Sequence, residues 1–547
     1  MSGQTPVRAA GEATTYVVLA TDASTVDAAI AAVEAAGGQV TNVNRAIGLV
    51  TASASDATFA ASVTAQADVA GVARNTPIGS APAEAARRRD AVEKEGRASG
   101  GGRGHHDPDD DDVTAEPLAS FQWDMQMMDA TPEGSYDEQL GRHDVLVGII
   151  DTGVDGSHPD IAPNFSGELS RNFTTDIPLV DGPCAEETDA SCEDAADVDD
   201  NGHGTHVAGT IGAAINGIGM AGVAPGVTLV NLRAGQDSGY FFLSATVDAL
   251  TYAGDNGIDV VNMSFYVDPW LYNCRSNPAD SPAEQAEQAT IIDATQRALD
   301  YARHHGVTLV AALGNEHQDL GAALKIDATS PDFPPGTERT REVTNDCLDM
   351  PTEGGGVISV SAVGPSGKKA DFSNHGLEQN DVAAPGGYFR DFIGTPQNRV
   401  PENMILGPYP TNVAVAEGAV DPVTGAVLPD FEGFVLAECS APSIDACAFW
   451  QFIQGTSMAS PHAAGVAALI VSEDGKRDKV HGGRTLDPAK VEKQLLRSAT
   501  DIACPAAVIT YAAEGRDDPS FDAPCVGSRK RNSIYGDGIV NALRAVD

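Results

Sequence analysis

Basic residues are scarce in this 547-residue chain: 34 Lys and Arg stand against 78 Asp and Glu, for a formal charge of −44. Such a field repels nucleic acid and anionic membrane, and attracts divalent cations and basic peptides. Solubility, in salty surroundings included, is its simplest use. Aromatics are few as well, 5% of residues within a hydrophobic content of 42%. The core must therefore be aliphatic, and fibrous or wholly disordered classes are excluded. No apolar run reaches the length of a bilayer span. No internal repeat is present. The opening Met1-Ser2-Gly3-Gln4 lacks the apolar segment of a signal peptide; the expectation is a trimmed signal, with Met1 supplied in its place.

Cysteine is sparse, and no CxxC pair occurs among the eight at 184, 192, 274, 347, 439, 447, 504 and 525. An even count without metal-ligand spacing reads as disulfides, and hence as an oxidising, extracellular setting. The close pairs Cys184/Cys192, Cys439/Cys447 and Cys504/Cys525 suggest local staples, leaving Cys274 with Cys347; sequence alone leaves other connectivities open.

The length predicts two or three packed units. Residues 14–79 carry the element order βαββαβ, with strand-like runs at Tyr16–Ala20, Val40–Val43, Ile47–Ala52 and Val69–Arg74. Helical stretches at Thr25–Ala36 and Ala54–Gln66 lie between them, making a split βαβ plait. Residues 80–117 read as an exposed linker. Arg87-Arg88-Arg89, a Ser-Gly-Gly-Gly tract, His105-His106 and the run Asp107–Asp112 fall there. The two histidines lack partners at ligand spacing and read as solvated. From 118 to 547, apolar runs at Val145–Ile150, Thr228–Leu232, Val260–Met263 and Val307–Ala311 alternate with helical stretches at 204–214, 242–255 and 284–305. That alternation predicts an α/β fold, a doubly wound parallel sheet with helices on both faces.

Hydrolysis of an amide through an acyl-enzyme needs a nucleophile, a base, an acid to orient the base, and donors for the oxyanion. Gly455-Thr456-Ser457-Met458-Ala459-Ser460-Pro461-His462 opens an Ala-rich helix, where backbone N–H groups favour developing negative charge. Asn201-Gly202-His203-Gly204-Thr205-His206 opens another helix, and Asp151-Thr152-Gly153 directly follows a buried strand. Open α/β sheets place their sites at such strand ends. Asn315, after Ala311-Ala312-Leu313-Gly314, is placed to turn its amide towards an attacked carbonyl. His206 and His462 read as packing or hydrogen-bonding residues of the same helices.

These blocks, in the order Asp, His, Ser, resemble the subtilase family of serine peptidases (peptidase S8). The resemblance implies a subtilisin-like fold, with Asp151, His203 and Ser457 as the catalytic triad and Asn315 in the oxyanion hole. It implies substrate contacts from Ser264, Phe265, Tyr266 and Gly314 on one side and from Gly235 and Gln236 on the opposing strand. Tyr266-Val267 departs from the pair of glycines common in the family, which puts any borrowed side-chain preference in doubt. A structural calcium is implied through side chains of Gln122, Asp160 and Asn216 and carbonyls of Ala214, Ile218 and Met220. The acidic insert Asp181–Asp200 reads as a solvated loop, with a second ion as the alternative. The 14–79 plait resembles the family's inhibitory prodomain, whose tail would lie near Ala73-Arg74-Asn75-Thr76-Pro77. The resemblance does not reach the linker or the insert from about Tyr388 to Phe449.

The expectation is a secreted, self-processing zymogen of a serine endopeptidase. It is expected to be monomeric and to act on peptides and proteins, with its own prodomain as partner and no nucleic acid or membrane involved. A silent calcium-binding module would lack a catalytic residue, and all four are present. An esterase or peptide ligase would share the acyl-enzyme, and an added amine nucleophile would separate it from a hydrolase.

Overall fold

The computed structural model describes residues 13–75, 92–97, 116–186, 191–333 and 336–547. Thr76 and Pro77, the arginine run, His105, His106 and the linker's acidic run lie outside the described residues.

The plait has the expected order: β1 (Thr14–Ala20), α1 (Val26–Ala35), β2 (Gln39–Asn44), β3 (Leu49–Ala54), α2 (Phe59–Thr64) and β4 (Val69–Arg74). Its four strands pair antiparallel in the order β2-β3-β1-β4. Alternation along the strands gives the sheet two apolar faces. Val18, Val50 and Val72 pack with Val33, Phe59 and Val63 of the plait's own helices. Val17, Leu19, Leu49 and Ala73 point the other way and share a core with the larger unit.

In that unit seven parallel strands run in the order β11-β10-β9-β8-β5-β7-β6. They are β5 (Leu146–Ile150), β6 (Arg171–Asn172), β7 (Thr228–Arg233), β8 (Val260–Met263), β9 (Thr308–Ala312), β10 (Val357–Val363) and β11 (Val382–Pro385). Helices α3 (His203–Gly212), α4 (Leu243–Asp255) and α5 (Pro282–His304) begin and end within two residues of the sequence reading. Capping explains the sharp start of α5: Ser281 and Glu284 form a reciprocal capping box with Pro282 at its first position. Helix α6 (Thr456–Asp474) is buried from Thr456 to Ser472. Its Ala and Gly residues allow that depth, since a Cβ on Gly465 would come within 2.6 Å of Val223.

The plait docks on α4 and α5. Arg297 of α5 donates to the carbonyls of Ala20 (2.8 Å) and Thr21 (3.1 Å), Arg74 pairs with Glu287, and Asn42 and Asn44 donate to Asp248.

The Tyr388–Phe449 insert builds most of a three-stranded antiparallel sheet in the order β12-β14-β13. Its strands are β12 (Ile405–Tyr409), β13 (Val435–Cys439) and β14 (Cys447–Ile453). β14 leads directly into Gly455 and α6. The four expected cysteine pairs are all bonded. Among the described residues no helix is long and apolar enough to cross a membrane.

Part of the acidic insert departs from a solvated loop. Asp194 turns inward and, with Asp176 and Asp237, surrounds the buried guanidinium of Arg233, so an arginine supplies the cation there.

Candidate active site

Asp151 sits one residue past the C-terminal end of β5 and is fully buried. Its Oδ1 accepts from Thr152 N (2.7 Å) and lies 2.7 Å from His203 Nδ1, the first residue of α3. Gly204 permits this approach, because a Cβ there would lie 2.1 Å from the Gly153 carbonyl oxygen. Asp199, which the motifs did not single out, ties the corner together. It accepts from Asn201 N, Gly202 N, Thr205 N and the Thr152 and Thr205 hydroxyls. His206 and His462 are buried and turned elsewhere, His206 to the Ile405 carbonyl and His462 to Asp124.

Ser457 lies in the first turn of α6. Its carbonyl accepts from Ser264 Oγ (3.0 Å), just past β8. Asn315, just past β9, is oriented by its oxygen: Oδ1 accepts from Thr456 N and Thr456 Oγ1, both at 2.9 Å. With Oδ1 so engaged, Nδ2 remains as the donor, 3.6 Å from the point where a Gly455 Cβ would stand. His203, Asn315, Ser457 and the Ser264–Tyr266 strand end line one cleft of about 410 Å³.

A residue from the linker occupies this cleft. Glu93 places its carboxylate 3.5 Å from His203 Nε2, in the cleft it shares with Ser457. Among the described residues no Ser457–His203 bond is made; within the larger unit Ser457 Oγ donates to the Ser264 carbonyl, at 3.5 Å. Burial alone would lower the His203 pKa, but the facing carboxylates of Asp151 and Glu93 hold it well above the ordinary value. Burial opposes ionisation of Glu93, and the charge of His203, with the His203 and Ser457 donors facing it, still holds the carboxyl below its usual range. The segment Val92–Arg97 is tied along its length. Gln454 donates its N–H to Glu93 O (3.1 Å) and its Nε2 to Val92 O (3.0 Å). Lys94 and Arg97 pair with Glu417, and Arg390 with Glu95. For Ala73, Arg74 and Asn75 the expected tail is thereby corrected; Thr76 and Pro77 lie outside the described residues. Asn75 bonds Ser244 at the start of α4 and Arg74 stays at Glu287, so the described chain in the cleft is 92–97 and not 73–75. Only the linker's overall position in the sequence could have pointed to Glu93.

Ser264, Phe265, Tyr266 and Gly314 line the cleft as expected; Gly235 and Gln236 do not. Gly235 is covered by Phe241, and Gln236 is buried against Thr174 and Thr175. A tight turn, with Gly239 N donating to Gln236 O, carries the chain back so that Ser238–Phe241 form that rim.

The expected calcium ligands converge on one corner but do not form an oxygen shell. Asp160 Oδ2 accepts from Met220 N (3.1 Å) and from the indole of Trp450 (2.8 Å), which β14 inserts against Gly219. Gln122 spends its amide both ways on Ala221, and Asn216 Oδ1 accepts from Ile218 N. The exposed Asn216 and Ile218 and buried Ala214 stand around a loop locked by hydrogen bonds. Half of the expected ligands, the side-chain oxygens of Gln122, Asp160 and Asn216, are already committed to N–H donors, which does not fit a hard cation needing six or more oxygens. Burial raises the Asp160 carboxyl to about 7.

Comparison with known proteins agrees with the geometry. Residues 142–521 match the model of the Subtilase family. Subtilisin DY of Bacillus licheniformis is 28% identical over 358 residues, 65% of this chain and 84% of that protein. The major intracellular serine protease of Bacillus subtilis is 28% identical over 354 residues, 64% and 75% of the two chains. In fold, the chain is similar to the epidermin leader peptide processing serine protease of Staphylococcus aureus (TM-score 0.60, 19% identity, 98% of each chain). It is also similar to fervidolysin of Fervidobacterium pennivorans (TM-score 0.55, 20% identity, 99% of this chain and 62% of that one).

Proposed function

Because this chain belongs to the subtilase family of serine peptidases, we propose that Asp151, His203, Ser457 and Asn315 perform its peptide-bond hydrolysis, and that the chain is a secreted zymogen. The observation that carries this is the 2.7 Å Asp151–His203 contact in the cleft shared with Ser457 and Asn315. Once Glu93 withdraws, Asp151 holds the Nδ1–H tautomer of His203 and leaves Nε2 as base. Ser457 Oγ gives its proton to Nε2 and attacks the scissile carbonyl. Asn315 Nδ2 and the Ser457 N–H receive the oxyanion, at a helix N-terminus that favours the charge. Collapse of the tetrahedral species passes the proton to the leaving amine and leaves an acyl-Ser457. Water, deprotonated by His203, then releases the acid.

Four disulfides support an oxidising, extracellular setting. The zymogen reading rests on Glu93, which stands where the reacting groups would be. The plait of residues 14–74 then serves to deliver that segment, and the mature enzyme acts as a monomer on peptide and protein substrates. Covalent labelling tests the site. A fluorophosphonate is expected to modify Ser457, and neither Ser457→Ala nor His203→Ala should be labelled. Labelling that survives in His203→Ala at the wild-type rate would refute the assignment.

A further inference from the structure

The part of the cleft beyond the Ser264–Tyr266 strand end and Gly314 is lined by acids: Glu316, Asp332, Glu338 and Asp349. Among the described residues lining the whole cleft, the only cations are Lys94, already paired with Glu417, and His203. The acids are built into the wall. Asp332 is held by the hydroxyl of Tyr266 at 2.6 Å. Asp349 is fixed because Met350, its neighbour, accepts from Val267 N (2.8 Å), and because its own N–H donates to Glu353.

Asp349 is the informative one. It is 97% buried by its 3% exposure, yet its Oδ1 receives no hydrogen bond among the described residues. A buried carboxylate oxygen without a donor is costly and is seldom left so. The nearby cation Lys325 does not supply one; its ammonium donates to the Leu320 carbonyl at 2.9 Å and sits over the Tyr272 ring. Burial first, and then the charges of Glu316 and Glu353, push the Asp349 carboxyl well above its usual range, with Lys325 opposing. The wall thus lacks positive charge where it could best use it.

We propose that this pocket takes a long cationic side chain, Lys or Arg, on the residue that supplies the scissile carbonyl, with Asp349 as its deep counter-charge and Asp332, held by Tyr266, as its second acceptor. The inference rests on the hydrolytic reading above. Tyr266 in place of a small residue fits it, since the ring narrows the entrance against broad apolar groups while its hydroxyl aims a carboxylate.

Two readouts on the full chain separate the pocket from the chemistry. The first is kcat/KM on peptides that differ only at that residue: Arg, Lys, norleucine or Phe. Arg and Lys should exceed norleucine by about 10–10²-fold, the scale of a charge-assisted bond to a buried carboxylate. In Asp349→Asn that ratio should fall about tenfold, and in Tyr266→Phe by a smaller factor. Tyr266→Phe serves as the second variant should Asp349→Asn fail to fold. The second readout is binding of 4-aminobenzamidine to Ser457→Ala, weakened about tenfold by adding Asp349→Asn. Norleucine or Phe peptides cleaved as well as Arg would overturn the pocket and leave hydrolysis standing. Amidine binding that depends on Asp349, without cleavage of any peptide, would uphold the pocket and overturn hydrolysis. Neither binding nor cleavage would overturn both.

Discussion

Three histidines fall within the two motif helices, and only one faces the cleft. His206 and His462 spend ring nitrogens on the Ile405 carbonyl, the Met458 carbonyl and Asp124, whereas His203 Nε2 points at the site. Asn315 is likewise defined by what its oxygen does. Two donations from Thr456 hold Oδ1, so the NH2 group is what the cleft receives. Asn315→Ala should lower kcat by about 10²–10³-fold with KM little changed, the size known for a subtilisin oxyanion-hole asparagine. Steady-state kinetics on one peptide checks this; a variant that loses only KM would make Asn315 a ground-state contact. Asn315→Asp should be at least as poor, because a carboxylate repels the oxyanion. These residues were legible in the sequence because each sits within a few positions of the strand end or helix start that aims it.

At the scale of elements, the segment Val92–Arg97 brings a carboxylate to His203. The raised His203 pKa means that its ion pair with Glu93 holds while the ring stays protonated, and is lost as pH rises through that raised value. The depressed Glu93 pKa keeps its carboxylate ionised through the usual carboxyl range, so the acid side fails only below it. Release is therefore alkaline. Fluorophosphonate labelling of the full chain should accelerate with rising pH, and Glu93→Gln should be faster at neutral pH by about tenfold or more, with a flatter profile. Equal rates in wild type and Glu93→Gln would remove the plug. Strand β14 makes the second element-level point. Its Trp450 takes Asp160 from the far side of the sequence, so the melting temperature should not move in excess chelator. Trp450→Phe, which withdraws the indole N–H from buried Asp160, should cost about 1–3 kcal/mol. A chelator-induced fall in melting temperature would restore the calcium site.

Across the whole molecule, what sequence could and could not reveal follows from distance. The parallel sheet, the plait and the sequence blocks around Asp151, His203 and Ser457 are local patterns of period and punctuation. The role of Glu93 depends on docking of a plait onto α4 and α5, and on Gln454, Glu417 and Arg390, more than 290 positions later in the chain. Gly235 and Gln236 were misplaced by a turn of four residues, and Asp349 reaches the cleft through distant pairings of Leu348 with Asn273 and of Met350 with Val267. The docking itself yields a test. With residues 118–547 folded in the presence of the N-terminal part, added 1–97 should inhibit hydrolysis, and 1–79 should be weaker by about tenfold or more because it lacks the plug. Equal inhibition by the two would return the blocking role to the plait's own tail.

The most direct measurement of the central claim is kcat/KM for peptide hydrolysis in wild type, Ser457→Ala, His203→Ala and the double variant, with circular dichroism confirming the fold of each. Nucleophile and base act as one unit, so each single variant should lose activity by about 10⁶-fold, a size known for subtilisin, and the double should lose little more. Substantial turnover in folded Ser457→Ala, or losses that simply multiply in the double variant, would contradict the account.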